Sequence, residues 1–220
     1  MIDRIARIDI AGADESLYDV LLGPAHIAGN MTVAAAETTR AVFATADPVK
    51  TAERIRRRGI ELQDGGFTVN GLSFGLTDSA PHAVPNLDVE LDHMVLRTAD
   101  AERAIANYGG RLGIELRLER HAPQWGMHML FFRCGEDILE IVQPIGDEQH
   151  TGADQLYGVT WRVADLNDTA QRLKAAGIEI SEIRDGRKPG TQVCTIRDRR
   201  TGIPTLLIQQ ESLPFSRSQR

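Results

Sequence analysis

The segment that decides the fold is Arg97-Thr98-Ala99-Asp100, followed after twelve residues by Gly113-Ile114-Glu115-Leu116. Two further stretches repeat this pattern with eleven residues between their two parts, and a weaker copy begins near Ile8. The two stretches are Ala44–Asp47 with Gly59–Leu62, and Arg162–Asp165 with Gly177–Ile180. Capped helices are common by themselves, but three copies that end in Gly-Ile-Glu indicate internal repetition.

Each copy is predicted to be a strand, a helix and up to three further strands. The Asp is a good helix N-cap, because its carboxylate accepts hydrogen bonds from the N–H groups of the first turn. Apolar residues then recur at helical spacing, and a Gly suits the left-handed position after a helix. Apolar runs after the helices predict strands at residues 67–69, 72–76, 115–119, 127–132, 138–142, 179–183, 192–197 and 205–209.

The repeats predict an α+β protein built of β-α-β-β-β units. The segment Asp78–Asn86 contains Pro81 and Pro85 and is predicted to be a linker. It divides the chain into a reduced, degenerate domain at residues 1–84 and a fuller domain at residues 85–215. We expect the first domain to serve structure or assembly, and the second to carry the functional site.

Composition excludes several classes of function. The chain has 220 residues, 42% of them hydrophobic and 25% charged, and a formal net charge of -6. This charge argues against a nucleic-acid partner, and no apolar run reaches the roughly 20 residues of a membrane span. No secretion signal opens the chain, so a cytoplasmic location is expected. Two cysteines cannot build a disulfide framework, and the chain has no phosphate loop, dinucleotide fingerprint or nucleophile elbow.

The strand Leu91–Leu96 opens one unit and the strand Asp137–Gln143 closes it. Paired units of this kind resemble the vicinal oxygen chelate superfamily, which includes glyoxalase I, methylmalonyl-CoA epimerase, extradiol dioxygenases and bleomycin resistance proteins. The resemblance is good over residues 88–210 and faint over residues 1–80. It implies two vicinal-oxygen-chelate-like domains, in which paired β-α-β-β-β units form curled mixed sheets and two units make a cup. A His on the first strand and a Glu on the fourth are then implied as ligands of a divalent metal (Fe, Mn, Zn or Ni). It also implies a homodimer.

His93 and Glu140 match both ligand positions in one unit, and they are the candidate metal ligands and catalytic residues. A carboxylate in the apolar strand around Glu140 is costly unless it has a partner, which His93 can supply. Alternatively, Glu140 points outward and His93 is an ordinary structural histidine. The other unit departs from the pattern, because Gly158 stands at the position of His93 and Leu206 at that of Glu140. Half of the ligand set is therefore absent.

Five other side chains are candidates for the same cup. His121 or His128 could add a metal ligand, and His128 could instead bind substrate; the alternative is a core His128 and an exposed His121. Arg97 shares the strand face of His93 and could bind a substrate carboxylate, or be an exposed strand end. Trp125 and Trp161 could stack on a ring or simply pack.

Three hypotheses about function remain open at this point. The first is an enzyme on a small oxygenated substrate: a lyase, isomerase or epimerase that works by proton transfer, with Glu140 or His93 as base and with or without metal. Ring-cleaving dioxygenase chemistry would need a third ligand such as His128. The second is a non-catalytic binding protein of the bleomycin-resistance type, which the losses at Gly158 and Leu206 fit. The third is a purely structural protein. The basic turn Arg187–Thr191 could close over an acidic ligand, or be a solvated loop.

Overall fold

The predicted capped helices are present in the structure, a computed structural model that describes residues 1–29, 31–63, 65–79, 88–146 and 152–210. The side chain of each predicted Asp accepts an N–H hydrogen bond from the first turn, at Asp14, Asp47, Asp100 and Asp165. A glycine with positive φ follows each of the four helices, at Gly23, Gly59, Gly113 and Gly177.

The N-terminal half forms a seven-stranded sheet in the order β2-β3-β1-β4-β7-β6-β5. Two helices, α1 and α2, follow its first and fourth strands. The elements are β1 (Ile2–Ala11), α1 (Glu15–Leu22), β2 (Ile27–Ala28), β3 (Met31–Ala36), β4 (Arg40–Thr45), α2 (Pro48–Arg57), β5 (Leu62–Gln63), β6 (Gly66–Val69) and β7 (Leu72–Asp78).

The C-terminal half forms an eight-stranded sheet in the order β13-β14-β15-β12-β8-β11-β10-β9. Short 3-10 turns at Pro123–Trp125 and Arg199–Thr201 join some of its strands. The elements are β8 (Val89–Arg97), α3 (Ala101–Ala104) with a π-helical continuation (Ile105–Arg111), β9 (Glu115–Ala122), β10 (Met127–Cys134), β11 (Asp137–Pro144), β12 (Gln155–Val163), α4 (Leu166–Ala175), β13 (Arg184–Asp185), β14 (Thr191–Ile196) and β15 (Thr205–Gln210).

Strand pairing repeats in all four units. The first strand of each unit pairs in parallel with the last strand of the same unit, as β1 with β3, β4 with β7, β8 with β11 and β12 with β15. The first strands of neighbouring units pair antiparallel, as β1 with β4 and β8 with β12. The prediction of an α+β fold with two mixed sheets built from paired units is confirmed.

The one repeat with an extra residue contains the π-helical segment. This repeat has twelve rather than eleven residues between its two parts, and the wider π-helical turn accommodates the extra residue. The N–H of Leu112 donates to the carbonyl of Asn107, five residues earlier. Insertion of one residue into a helix commonly produces such a π turn. The Asp cap and the Gly end of this repeat therefore keep their places despite the different spacing.

The predicted strand at residues 179–183 is wrong in extent. Only Ile180 makes a bridge, to Ile196, and the short strand β13 begins at Arg184. The hydroxyl of Ser181 accepts the N–H of Thr195, so a side chain replaces a backbone group of a regular ladder.

Contacts across the two halves are both apolar and polar. One hydrophobic cluster contains buried residues of both sheets and of the helices. The Tyr18 hydroxyl of α1 donates to the Thr201 carbonyl at 2.9 Å, and the Ile5 N–H of β1 donates to Asp137 Oδ2 at 2.7 Å.

Most of the predicted linker lies outside the described residues, and the division at residue 84 stays a prediction. Within the described ranges, no helix is long and apolar enough to cross a membrane.

We expect Gly135→Ala to destabilise the protein, because Gly135 of the C-terminal half lies against the backbone of Asp3 in the N-terminal half. Gly135 has φ +65, and a Cβ there would lie 1.9 Å from the carbonyl oxygen of Asp3. Left-handed strain and overpacking together should lower the free energy of unfolding by about 2–4 kcal/mol. Gly12→Ala is the control, because its φ is +72 but nothing lies within 4 Å. Urea unfolding should separate the two variants, and equal losses would contradict the expected clash.

Candidate active site

The candidate site lies on the face of the eight-stranded sheet that is opposite the helices. On the helix side, residues of β8 such as Leu96 belong to the main hydrophobic core. On the other side, Val95 packs in a separate small cluster with Val142 of β11. Because side chains alternate along a strand, His93 and Arg97 share the face of Val95. This face is the predicted cup.

The parallel register of β8 and β11 brings His93 and Glu140 together. His93 pairs with Ile138. Glu140 follows Ile138 by two residues, so its side chain lies on the same face of the sheet. His93 Nε2 lies 3.3 Å from Glu140 Oε2 and 3.0 Å from Thr160 Oγ1 of β12. An imidazole, a carboxylate and a hydroxyl therefore meet where the three central strands adjoin.

A bulge in β8 orients the His93 ring. The pairing of β8 with β12 skips Asp92, which is therefore the extra residue of the bulge. Asp92 Oδ2 lies 2.8 Å from His93 Nδ1. Arg162 of β12 donates to Asp92 Oδ1 from Nε at 3.0 Å and from Nη2 at 2.8 Å. Asp92 is thereby fixed, and it in turn fixes the imidazole.

The two carboxylates of the site have opposite pKa shifts. Burial raises the pKa of Asp92, but hydrogen bonds from His93 and Arg162 outweigh burial and lower it to about 2. Burial raises the pKa of Glu140 above its usual value, and the positive charges of His93 and Arg187 only partly oppose this. Asp92 is thus a permanent anion, whereas Glu140 is a carboxyl that takes up a proton more readily than in water.

The basic turn at residues 187–191 reaches toward the same site. Arg187 Cζ lies 5.1 Å from the ring centroid of Trp125, and its charge acts on Glu140. Arg120 Cζ of β9 lies 4.7 Å from the same ring. A turn of the second unit therefore adds positive charge beside the carboxylate of the first unit.

A cavity of about 450 Å³ opens on this face. Arg97 Cζ lies 5.5 Å from the ring centroid of Tyr157, so an arginine and an aromatic ring lie together in its lining. The predicted binding residues Arg97 and Trp125 both line it. The lining residues are Arg97, Trp125, Gly126, Met127, Val142, Pro144, Ile145 and Tyr157.

The matching positions of the second unit offer no ligand. Leu206 on β15 is the equivalent of Glu140 on β11. Glu140 pairs with Val95 of β8, and Leu206 pairs with Thr160 of β12. At Gly158 a Cβ would lie 2.8 Å from the carbonyl oxygen of Pro204, so any side chain there needs the backbone to shift.

The donors present do not complete the divalent metal site that the superfamily resemblance implies. His93 and Glu140 supply two ligands, whereas catalytic metal sites usually take three protein ligands. The Asp92 carboxylate is already bonded to His93 Nδ1 and Arg162. Among the residues that the structure describes, no third His, Cys, Asp or Glu groups with this pair. His93 and Glu140 therefore supply two of the three protein ligands that such a centre usually takes.

His121 and His128 cannot supply the missing ligand, because they lie on the opposite face of the sheet. Along β10, His128 alternates with the cup-side Met129 and shares its face with Leu130, a residue of the main core. His121 is the cross-strand partner of His128 on β9 and so shares that face. The predictions that either histidine joins His93, and that His128 binds substrate in the cup, are wrong.

Trp161 is also wrongly predicted as a substrate-binding residue. It is fully buried in the main core, one residue beyond the cup-side Thr160 of β12. Trp161 is therefore a packing residue of the core, which was the alternative to stacking on a substrate ring.

Sequence reasoning missed three polar residues of the site. Asp92 is next to His93 in sequence. Thr160 and Arg162 are two residues apart on β12 and share one face, so both come near His93 once β12 is paired with β8. The bulge that brings Asp92 beside the His93 ring has no evident sequence signal.

Comparisons with known proteins agree with this architecture. Residues 92–195 match the model of the glyoxalase/bleomycin resistance protein/dioxygenase superfamily. The resemblance to the vicinal oxygen chelate superfamily is thereby confirmed. An ethylmalonyl-CoA/methylmalonyl-CoA epimerase of Cereibacter sphaeroides is 25% identical over an alignment of 97 residues, which covers 41% of this chain and 72% of that protein.

Two solved structures match nearly the whole chain. A mutant of 4-hydroxymandelate synthase from Streptomyces coelicolor has a TM-score of 0.71 at 14% identity, over 97% of this chain and 94% of that one. A halotolerant catechol dioxygenase has a TM-score of 0.69 at 12% identity, over 95% and 87% of the two chains. At these identities the similarity shows the fold, and it extends over both sheets. The relative by sequence is thus an epimerase, and the two structural neighbours share the fold of this chain.

Proposed function

We propose that the protein is an enzyme that moves a proton at the carbon beside a carbonyl group of a small oxygenated substrate, as an isomerase, epimerase or lyase. The observation that carries this proposal is the 3.3 Å contact between His93 Nε2 and the buried Glu140 Oε2 on the cup face. The raised pKa of Glu140 suits a carboxyl group that accepts a proton and returns it.

The proposed step uses Glu140 as base and His93 as hydrogen-bond donor. Glu140 takes the proton as the C–H bond breaks, and the bonding electron pair moves toward the carbonyl oxygen, which becomes an enolate oxyanion. Asp92 accepts from Nδ1–H, so a protonated His93 can donate Nε2–H to that oxyanion. Glu140 then returns a proton to the carbon, which completes one cycle of exchange; inversion at that carbon additionally requires that the proton reach the opposite face of the enolate.

The cavity on the same face guides the choice of substrates to test, although neither His93 nor Glu140 lines it. Arg97 in its lining suits a carboxylate, and the apolar lining around Trp125 and Met127 suits a carbon skeleton. The epimerase relative supplies the first candidates, methylmalonyl-CoA and ethylmalonyl-CoA. Small 2-oxo and 2-hydroxy acids complete the panel.

Deuterium incorporation from heavy water tests the proposal directly. The protein should introduce deuterium at the carbon beside the carbonyl in at least one compound of the panel, as detected by proton NMR. A metal analysis of the same sample, before and after chelator treatment, shows whether exchange depends on a bound ion. Exchange in the chelated protein supports the side-chain mechanism, and exchange that is lost with the metal contradicts it.

A non-catalytic binding protein is the second candidate, and the empty ligand positions at Gly158 and Leu206 favour it. In that case compounds of the panel should bind in the cup without any deuterium exchange. Dioxygenase chemistry has no such support, because His128 does not reach the cup. A homodimer, a cytoplasmic location and a structural role for residues 1–84 stay predictions.

The pH dependence of exchange should report the charge around Glu140. As base, Glu140 must be ionised, so the rate falls as the pH drops through its pKa, which burial raises above the usual value of a glutamate. Arg187→Ala removes a positive charge that lowers this pKa, so the acid limb of the rate profile should move to higher pH. Lys188→Ala, in the same turn, is the control because Lys188 bonds to Gln210 instead. Equal profiles for both variants would argue against Glu140 as the base.

A further inference from the structure

A second group of metal-ligating side chains lies on the helix-side face near the edge strand β9. His121 and His128 are cross-strand partners, and their rings stack with centroids 3.8 Å apart and an interplanar angle of 21°. Glu119 lies two residues before His121 and therefore shares its face. His128 Nε2 is 2.8 Å from Glu119 Oε1, and His121 Nε2 is 3.9 Å from the same oxygen. One ligand atom from each residue lies within 4.8 Å of the others.

These separations suit a small divalent ion. Ligand atoms at about 2.1 Å from a tetrahedral ion lie about 3.4 Å from one another. The two measured distances, 2.8 and 3.9 Å, bracket that value. Because the two rings are stacked, the exposed His121 ring must turn out of the stack for both imidazoles to direct a nitrogen at one ion. Two imidazoles and one carboxylate are also a donor set that zinc accepts, with a fourth position left for water.

The surroundings allow an ion to enter without unfolding the strands. The His128 side chain is only 10% exposed and is fixed in β10. The side chains of His121 and Glu119 are 69% and 44% exposed, so the open side of the group faces solvent. A simple ion pair would need only one histidine beside Glu119. Here a second histidine, His121, also lies within 4 Å of the Glu119 carboxylate.

We propose that Glu119, His121 and His128 bind one zinc ion or a similar divalent transition ion on the face opposite the cup. This site uses no residue of the proposed active site and stands whether or not the protein is an enzyme. Its open fourth position can take water or a ligand from another molecule.

Zinc titration of the full chain, treated with chelator and then freed of it, tests the proposal. Competition with a chromophoric chelator at neutral pH should show one zinc ion per chain. His121→Ala and Glu119→Gln change exposed side chains and should weaken zinc binding by about tenfold or more, since even indirect partners of a ligand contribute that much. Cobalt substitution should give a visible absorption band that His121→Ala removes.

His26→Ala is the matched control, because His26 also pairs with a carboxylate, Asp19, at 2.8 Å. It should leave zinc binding unchanged, and so should His93→Gln in the cup. Wild-type affinity in His121→Ala, or no zinc binding by the wild-type chain, would overturn the proposal. Loss of zinc only in His93→Gln would place the ion in the cup and overturn it equally.

Discussion

Glu140→Gln is expected to lower the rate of proton transfer by about 100- to 10,000-fold, the usual contribution of a positioned general base. The amide has almost the same shape as the carboxylate but cannot accept the proton. It can still receive a hydrogen bond from His93 Nε2, so the cup should keep its structure and its affinity for ligand. The measurement is the initial rate of deuterium exchange at saturating substrate, beside the dissociation constant of the same compound.

Glu136→Gln is the control for this variant. Glu136 lies in the turn between β10 and β11 with a side chain that is 92% exposed, so its change should leave the rate alone. A Glu140→Gln protein that exchanges at the wild-type rate would show that another group is the base. A parallel loss of ligand affinity would instead assign Glu140 to binding.

Trp161→Ala is expected to lower the free energy of unfolding by about 3–5 kcal/mol, as for other large aromatic side chains truncated in a core. Trp161 has no exposed surface, and its Nε1 has no hydrogen-bond partner among the described residues. Trp161→Phe should therefore cost much less, because it keeps most of the volume and removes an unsatisfied donor. Urea unfolding monitored by circular dichroism measures all three proteins.

Trp125→Ala is the matched comparison, because Trp125 lines the cavity between Arg120 and Arg187 instead of the core. It should change stability little and weaken ligand binding. Similar destabilisation by both alanine variants would contradict the assignment of one tryptophan to the core and the other to the cup.

Much of the architecture could be predicted because it depends on local rules. An Asp that caps a helix and a Gly that ends it act within a few residues, so the repeated pattern located all four units. The pairing of Asp100 with Gly113 remained recognisable despite one extra residue, which the π-helical turn absorbs. The strand at residues 179–183 was overestimated because the hydroxyl of Ser181 replaces a backbone partner.

The candidate site was predictable only where alternation along one strand decided the outcome. His93 and Glu140 sit on neighbouring parallel strands, and a resemblance supplied their register. The face of His128 could not be decided from its own strand, because both faces of β10 are apolar: Met129 contributes to the cup cluster and Leu130 to the core. The position of Asp92 depends on a bulge created by pairing with a strand of the other unit.

A crystal structure with the most active compound of the panel, or the tightest-binding one if none reacts, tests the central claim most directly. The account predicts a ligand in the cup with one atom within hydrogen-bonding distance of His93 Nε2 and another within reach of the Glu140 carboxylate. A ligand bound elsewhere, for example in the groove lined by Asp19 of α1 and Arg172 of α4, with the His93–Glu140 pair untouched, would contradict it.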